Sequence, residues 1–200
     1  MAFPSFFAEV PPIVLHDPLA EFLGAADGGL IEYHYADAVK LAGHSCPTVA
    51  GAYLLTSRAL GALYEDEMPE RGGLRVDFRE AQSSGVAGVT ANVVGLLTGA
   101  AGIGGFKGLA GNFVRRDLLN FDTELPGEIR FERLDNGASV TASLQLAHIP
   151  PDPRLAPLLQ RLLAGEREAV VAEVFATLWQ DRVRRILVDH FDDPEAVVFV

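Results

Sequence analysis

Residues 81–106, AQSSGVAGVTANVVGLLTGAAGIGGF, run for 26 positions without a charged side chain. A stretch of that length either crosses a bilayer or is buried inside a folded domain. Seven of its residues are glycine, and the apolar ones are mostly Ala and Val. That is too weakly hydrophobic for a lipid-facing helix. The expected structure is a buried helix over residues 86–98 followed by a glycine-rich loop, in a soluble, cytoplasmic protein. The start of the chain, MAFPSFFAEVPP, carries no basic region, and Pro4, Glu9, Pro11 and Pro12 interrupt any apolar run. No targeting segment is expected there.

Composition narrows the class further. With 49% hydrophobic and 22% charged residues the chain is not intrinsically disordered. At 200 residues it is long enough to bury about 70% of its unfolded surface around one core. Sixteen Lys and Arg against 27 Asp and Glu give a net charge of −11, which argues against a nucleic-acid partner. A single cysteine excludes an internal disulfide framework, a zinc finger or a CxxC pair.

The periodicities predict an α+β fold. A short helix is expected from Asp17, a turn over 25–29, and a helix over 33–42 ended by Gly43. Pro47 then opens a second helix whose Val49, Tyr53, Ala59, Leu60 and Leu63 form a buried stripe. Residues 74–82 alternate as a strand with Leu74, Val76 and Phe78 inward. Asp77, Glu80 and Glu65–Glu67 read as solvated surface. Asn136-Gly137, between GEIRFERL and ASVTASLQL, predicts a hairpin with a tight positive-φ turn. The Pro-rich stretch 150–157 divides residues 1–149 from a helical extension, 150–200, packed on that core. Its longer helix, 166–190, carries an apolar stripe from Val170 to Leu187 and is expected to dock on the core or on a second copy in a homodimer.

The candidate site is Gly43-His44-Ser45-Cys46-Pro47. Cys46 lies at a helix start, where backbone N–H groups and the helix dipole favour a thiolate. His44, two residues earlier, makes a pair suited to zinc or another divalent transition metal. His34 is the nearest further ligand in sequence. His16, His148 and His190 fall in separate elements and read as surface or structural histidines. The glycine loop, with Gly105, Gly108 and Lys107 and with Arg115 and Arg116 beyond it, is a candidate binding site for an anionic group on a small molecule. It is neither a Walker A loop nor a dinucleotide fingerprint.

The run from Tyr35 to Pro47, ending in GHSCP, resembles the FmdE family, whose name comes from a component of formylmethanofuran dehydrogenase. Thr98-Gly99-Ala100-Ala101 and the following Gly104–Gly111 loop extend the resemblance, which covers roughly residues 30–147. It implies a thioredoxin-like core, a mixed sheet flanked by helices, with a zinc site at the His/Cys turn. The chain departs from the family pattern at Ala42, where many members have histidine, and at Ala100, where many have cysteine. It also lacks the cysteines of the family's C-terminal zinc finger. The metal site so implied is open, completed by water, substrate or a partner. The resulting expectation is a metal- or thiolate-site protein, an accessory or redox-related enzyme, acting through Cys46 and His44 on a small ligand. Two alternatives stand beside it: a module binding haem or another small ligand through Cys46, and a non-catalytic dimeric interaction protein.

Overall fold

The computed structural model describes residues 3–200, and its architecture is α+β. A 3-10 turn (Ser5–Ala8) leads into strand β1 (Ile13–His16), helix α1 (Pro18–Phe22), strand β2 (Leu30–Tyr33) and helices α2 (Tyr35–Ala42) and α3 (Pro47–Tyr64). Strand β3 (Leu74–Phe78), helix α4 (Ala87–Thr98) and the two-residue strand β4 (Leu119–Asn120) follow. The chain ends with β5 (Ile129–Arg133), β6 (Ser139–Leu144), α5 (Leu155–Leu163), α6 (Ala169–Arg184), a π-helical turn (Arg185–Asp189) and β7 (Val197–Phe199). No helix among the described residues is long and apolar enough to cross a membrane.

β1 and β2 form an antiparallel pair, and the other strands make one sheet in the order β4-β3-β5-β6-β7. Its pairs are antiparallel except β3 with β4, which are parallel and joined through α4 and the glycine loop. The core lies between this sheet and α3. Residues Val49 to Thr56 of α3 are all buried, so the helix is apolar around its circumference rather than along one stripe. Gly51 permits the close approach, since a Cβ there would run into the side chain of Leu144 on β6. The uncharged helix α4 packs beside it, burying Val93, Val94 and Leu97.

The expected hairpin is present, with Ile129 opposite Ala142 and Glu132 opposite Ser139. Its turn differs from the expected one. Arg133 N donates to Ala138 O at 2.8 Å across a four-residue loop, 134–137, and of Asn136-Gly137 only Gly137 has positive φ. The Asn136 side chain instead accepts the N–H of Ala138 at 2.9 Å. Residues 150–200 do more than pack on the core. β7 pairs with β6 through Leu144 and Val197, and Val183, Ile186 and Leu187 are fully buried. The front of α6 is exposed at Val170 and Val174, so its apolar stripe meets the core only in its second half. Asp77 is another departure. It is buried on the second face of β3 and bonded by Arg130 Nη2 at 2.6 Å and Asn120 Nδ2 at 2.9 Å.

Asp17 ties several segments together. Its Oδ1 accepts the N–H groups of Leu19 and Ala20, capping α1, and Nη2 of Arg115 at 2.8 Å. Its Oδ2 accepts Nη1 of Arg71 at 2.9 Å. Arg71 also donates twice to the Leu96 carbonyl near the end of α4, and Arg115 Nη1 donates to the Arg71 carbonyl. Gly72, at φ +83°, leaves room for this guanidinium, which a Cβ there would overlap. Burial pushes the Asp17 carboxyl upward, but the hydrogen bonds from Arg71 and Ala20 and the charge of Arg115 outweigh it and hold it below the usual carboxylate range. Its stabilisation is therefore complete above the unfolded value of about 3.9 and is lost as pH falls through the lower folded value. Replacing Asp17 by Asn is expected to cost about 3–5 kcal/mol in urea unfolding at pH 7, because the buried guanidinium of Arg115 and the partly buried one of Arg71 lose their counter-charge. The gap from wild type should close as the pH is taken below about 4, and a constant gap would refute the charge argument.

Candidate functional site

Cys46 is the N-cap of the 18-residue helix α3, followed by Pro47 at the first helical position. Its Sγ accepts the N–H of Val49 at 3.5 Å, and the residue is 8% exposed. The turn before it is braced from two sides. The Ser45 carbonyl accepts Trp179 Nε1 at 3.0 Å and Gln180 Nε2 at 3.3 Å, both from α6. Ser45 Oγ donates to Gln180 Oε1 at 2.9 Å and lies 3.0 Å from the Tyr35 hydroxyl. Burial raises the Tyr35 phenol well above its ordinary range, with the hydrogen bond to Ser45 working against that shift. Tyr35 is thus a neutral hydroxyl at neutral pH.

The proposed ligand partners are not gathered around this sulfur. His44 is exposed, with Nδ1 3.0 Å from the Ala42 carbonyl. His34 is also exposed and stands at the N-cap of α2, its Nε2 lying 2.8 Å from Glu32. Among the described residues, the one group of three or more His, Cys, Asp or Glu side chains with ligand atoms within 4.8 Å of one another lies elsewhere, at His148, His190 and Asp193. These two histidines come from the β6–α5 connection and from the residue just after the π-helical turn. Their meeting depends on the C-terminal segment folding back beside β6, which sequence spacing does not encode.

The glycine loop folds back on itself. Ala101 N donates to Arg115 O and Leu118 N to Ala101 O, each at 2.9 Å. Gly105 is demanded by packing, since a Cβ would lie 2.7–2.8 Å from Arg116 backbone atoms and Ala101. Gly108, at φ +87°, precedes the small loop closed by Leu109 and Asn112, and a Cβ there would run into the Asn112 carbonyl. Lys107 is exposed, Arg116 lies 3.3 Å from Asp117, and Arg115 is buried on Asp17. None of Gly105, Lys107 and Gly108 lines the large cleft of about 820 Å³ that the front of the loop forms with α4 and β4.

That cleft is bounded by Gly99 to Gly104, by Ala91, Asn92 and Gly95 of α4, and by Leu119, Asn120 and Phe121. Gln82, Arg71 and Asp117 complete it. Its two charged groups already have partners, Arg71 in Asp17 and Asp117 in Arg116. Its remaining polar side chains are carboxamides. Asn120 is oriented by Asp77: a carboxylate only accepts, so the amide nitrogen must point to it, and the amide oxygen is left to accept from elsewhere. Sequence reading missed Gln82, Asn92 and Asn120. The one signal for them was the set of polar residues in and beside the otherwise apolar 81–106 stretch.

The bracing of the cysteine turn makes a direct prediction. Trp179→Phe removes one donor to the Ser45 carbonyl and is expected to cost about 0.5–1.5 kcal/mol of stability. Opening of the turn then becomes more frequent, so iodoacetamide should alkylate Cys46 severalfold faster than in wild type at equal pH. An unchanged rate would show that the α6 hydrogen bonds do not control access to the thiol.

Compared with known protein families, curated proteins and solved structures, the chain matches none.

Proposed function

We propose that the protein binds a small, uncharged polar molecule in the cleft between α4, the front of the glycine loop and β4. The observation that carries this is the lining. The cleft has the volume of a small-molecule site, about 820 Å³. Its guanidinium and carboxylate are each paired within the chain, which leaves the carboxamides of Gln82, Asn92 and Asn120 as its uncharged recognition groups. Carboxamides offer paired donors and acceptors without net charge, and Phe121 and Leu119 add an apolar wall. The ligand class that fits is a planar polar group bearing a hydrogen-bond donor toward Asn120.

Thermal unfolding with a panel of nucleosides and aromatic carboxamides, each beside a phosphorylated or carboxylated counterpart, tests this. A binder at 100 times its Kd adds about 2.7 kcal/mol, a shift of several degrees. Uncharged members are expected to stabilise wild type, and Asn92→Trp, an exposed helix position that fills the cleft, to abolish the effect. Stabilisation by the charged counterparts alone, or stabilisation that survives Asn92→Trp, would sink the reading.

A second reading is favoured by the N-capping sulfur: His44 and Cys46 as a metal- or thiolate-bearing reactive turn. Its support is the Val49 N–H on Sγ, the bracing by α6, and the resemblance of GHSCP to the FmdE family. Stoichiometric metal in the purified protein, lost in both His44→Ala and Cys46→Ala, would support the metal form. A thiol that titrates and alkylates like free cysteine would remove the thiolate form.

A further inference from the structure

We infer that His148, His190 and Asp193 form a binding site for a divalent transition-metal ion, zinc foremost, at the edge of the sheet where β6 meets β7. The site is independent of the cleft, which lies beside β4 at the opposite edge. His148 Nε2 and His190 Nδ1 approach the same carboxylate oxygen, Asp193 Oδ2, at 3.0 and 2.7 Å. Around a tetrahedral ion with bonds of about 2.0–2.2 Å, neighbouring ligand atoms stand about 3.3–3.6 Å apart. Opening this cluster by less than about 1 Å therefore admits the ion. Two imidazole nitrogens and one carboxylate oxygen are a donor set that suits zinc and its first-row neighbours rather than calcium or magnesium.

The surroundings are those of a held site. Asp193 Oδ1 accepts the N–H of Glu195 at 2.9 Å, which fixes the carboxylate with Oδ2 toward the rings. His148 precedes the fully buried Ile149, whose carbonyl accepts Arg182 Nε at 3.0 Å, so its backbone is anchored. His190 follows the π-helical turn Arg185–Asp189, a rare local geometry that frequently marks functional positions. Here it carries the chain out of α6 so that the ring meets His148 at a centroid distance of 5.5 Å. Both rings are about one-third exposed, which leaves the remaining coordination positions to water. The ion would clamp the β6–α5 connection to the turn that leads into β7.

The test is zinc titration of the full-length, EDTA-stripped protein against a chromophoric chelator. Wild type is expected to bind one zinc per chain and to give a visible d–d spectrum with cobalt. His148→Ala, His190→Ala and Asp193→Asn should each weaken that binding at least about tenfold, while the His44→Ala/Cys46→Ala double variant retains it. In wild type, zinc should also protect His148 and His190, but not His16, from diethyl pyrocarbonate, as read by mass spectrometry. This second measurement stands even where a variant fails to fold. Absence of stoichiometric zinc, zinc lost only with His44 and Cys46, or histidine modification that zinc does not slow would each overturn the site. The cluster would then be a hydrogen-bonded His–Asp–His group alone.

Discussion

A buried carboxylate organises the half of the molecule that contains the cleft. Asp17 sits at the junction of β1 and α1 and receives the guanidinium groups of Arg71, from the segment before β3, and Arg115, from the far end of the glycine loop. Neither arginine stops there. Arg71 reaches the carbonyl of Leu96 and Arg115 that of Arg71, so one negative charge fixes the end of α4 and the return of the loop together. A buried charge left without its partners is costly, and this couples the three segments to one another. The front of the loop can therefore remain open beside α4 without losing its position.

The same network shows where most of the loop's positive charge goes. The sequence places Lys107, Arg115 and Arg116 close to a run of glycines, and positive charge with backbone N–H groups suggests a phosphate or carboxylate site. Folding commits Arg115 to Asp17, which lies 98 positions away. It also sets Arg116 beside Asp117 and uses the glycines for close contacts and positive φ. What remains facing the cleft is amide chemistry. Spacing along the chain shows which charges are near one another, but not which distant charge will claim them.

Legibility follows the length of each pattern. The helices at 47–64 and 87–98, the strand from Leu74 and the hairpin pair at 129–144 are long or strongly periodic, and all lie within a few residues of expectation. β1, β2, β4 and β7 have two to four residues each and hold their shape only by pairing, so no local pattern announces them. The cysteine turn is legible as a helix start, because Cys-Pro is a local signal. Its bracing by Trp179 and Gln180 is not, since it depends on α6 returning across more than 130 positions. The His148–His190–Asp193 cluster lies beyond sequence reading for the same reason: the two rings meet only once β7 has joined β6.

The orientation of Asn120 has a consequence for selectivity. An isolated carboxamide can rotate to present either its oxygen or its nitrogen, and so tolerates donors and acceptors alike. Here the nitrogen is tied to Asp77, itself held by Arg130, so the amide cannot turn without breaking a charge-assisted hydrogen bond. The cleft wall is thereby polarised at one point. In the binding site proposed above, a molecule offering a donor to the amide oxygen would gain a hydrogen bond, whereas an acceptor placed at that oxygen would meet a second oxygen. On that proposal, the preference at this point of the wall would be set by a carboxylate that does not itself line the cleft.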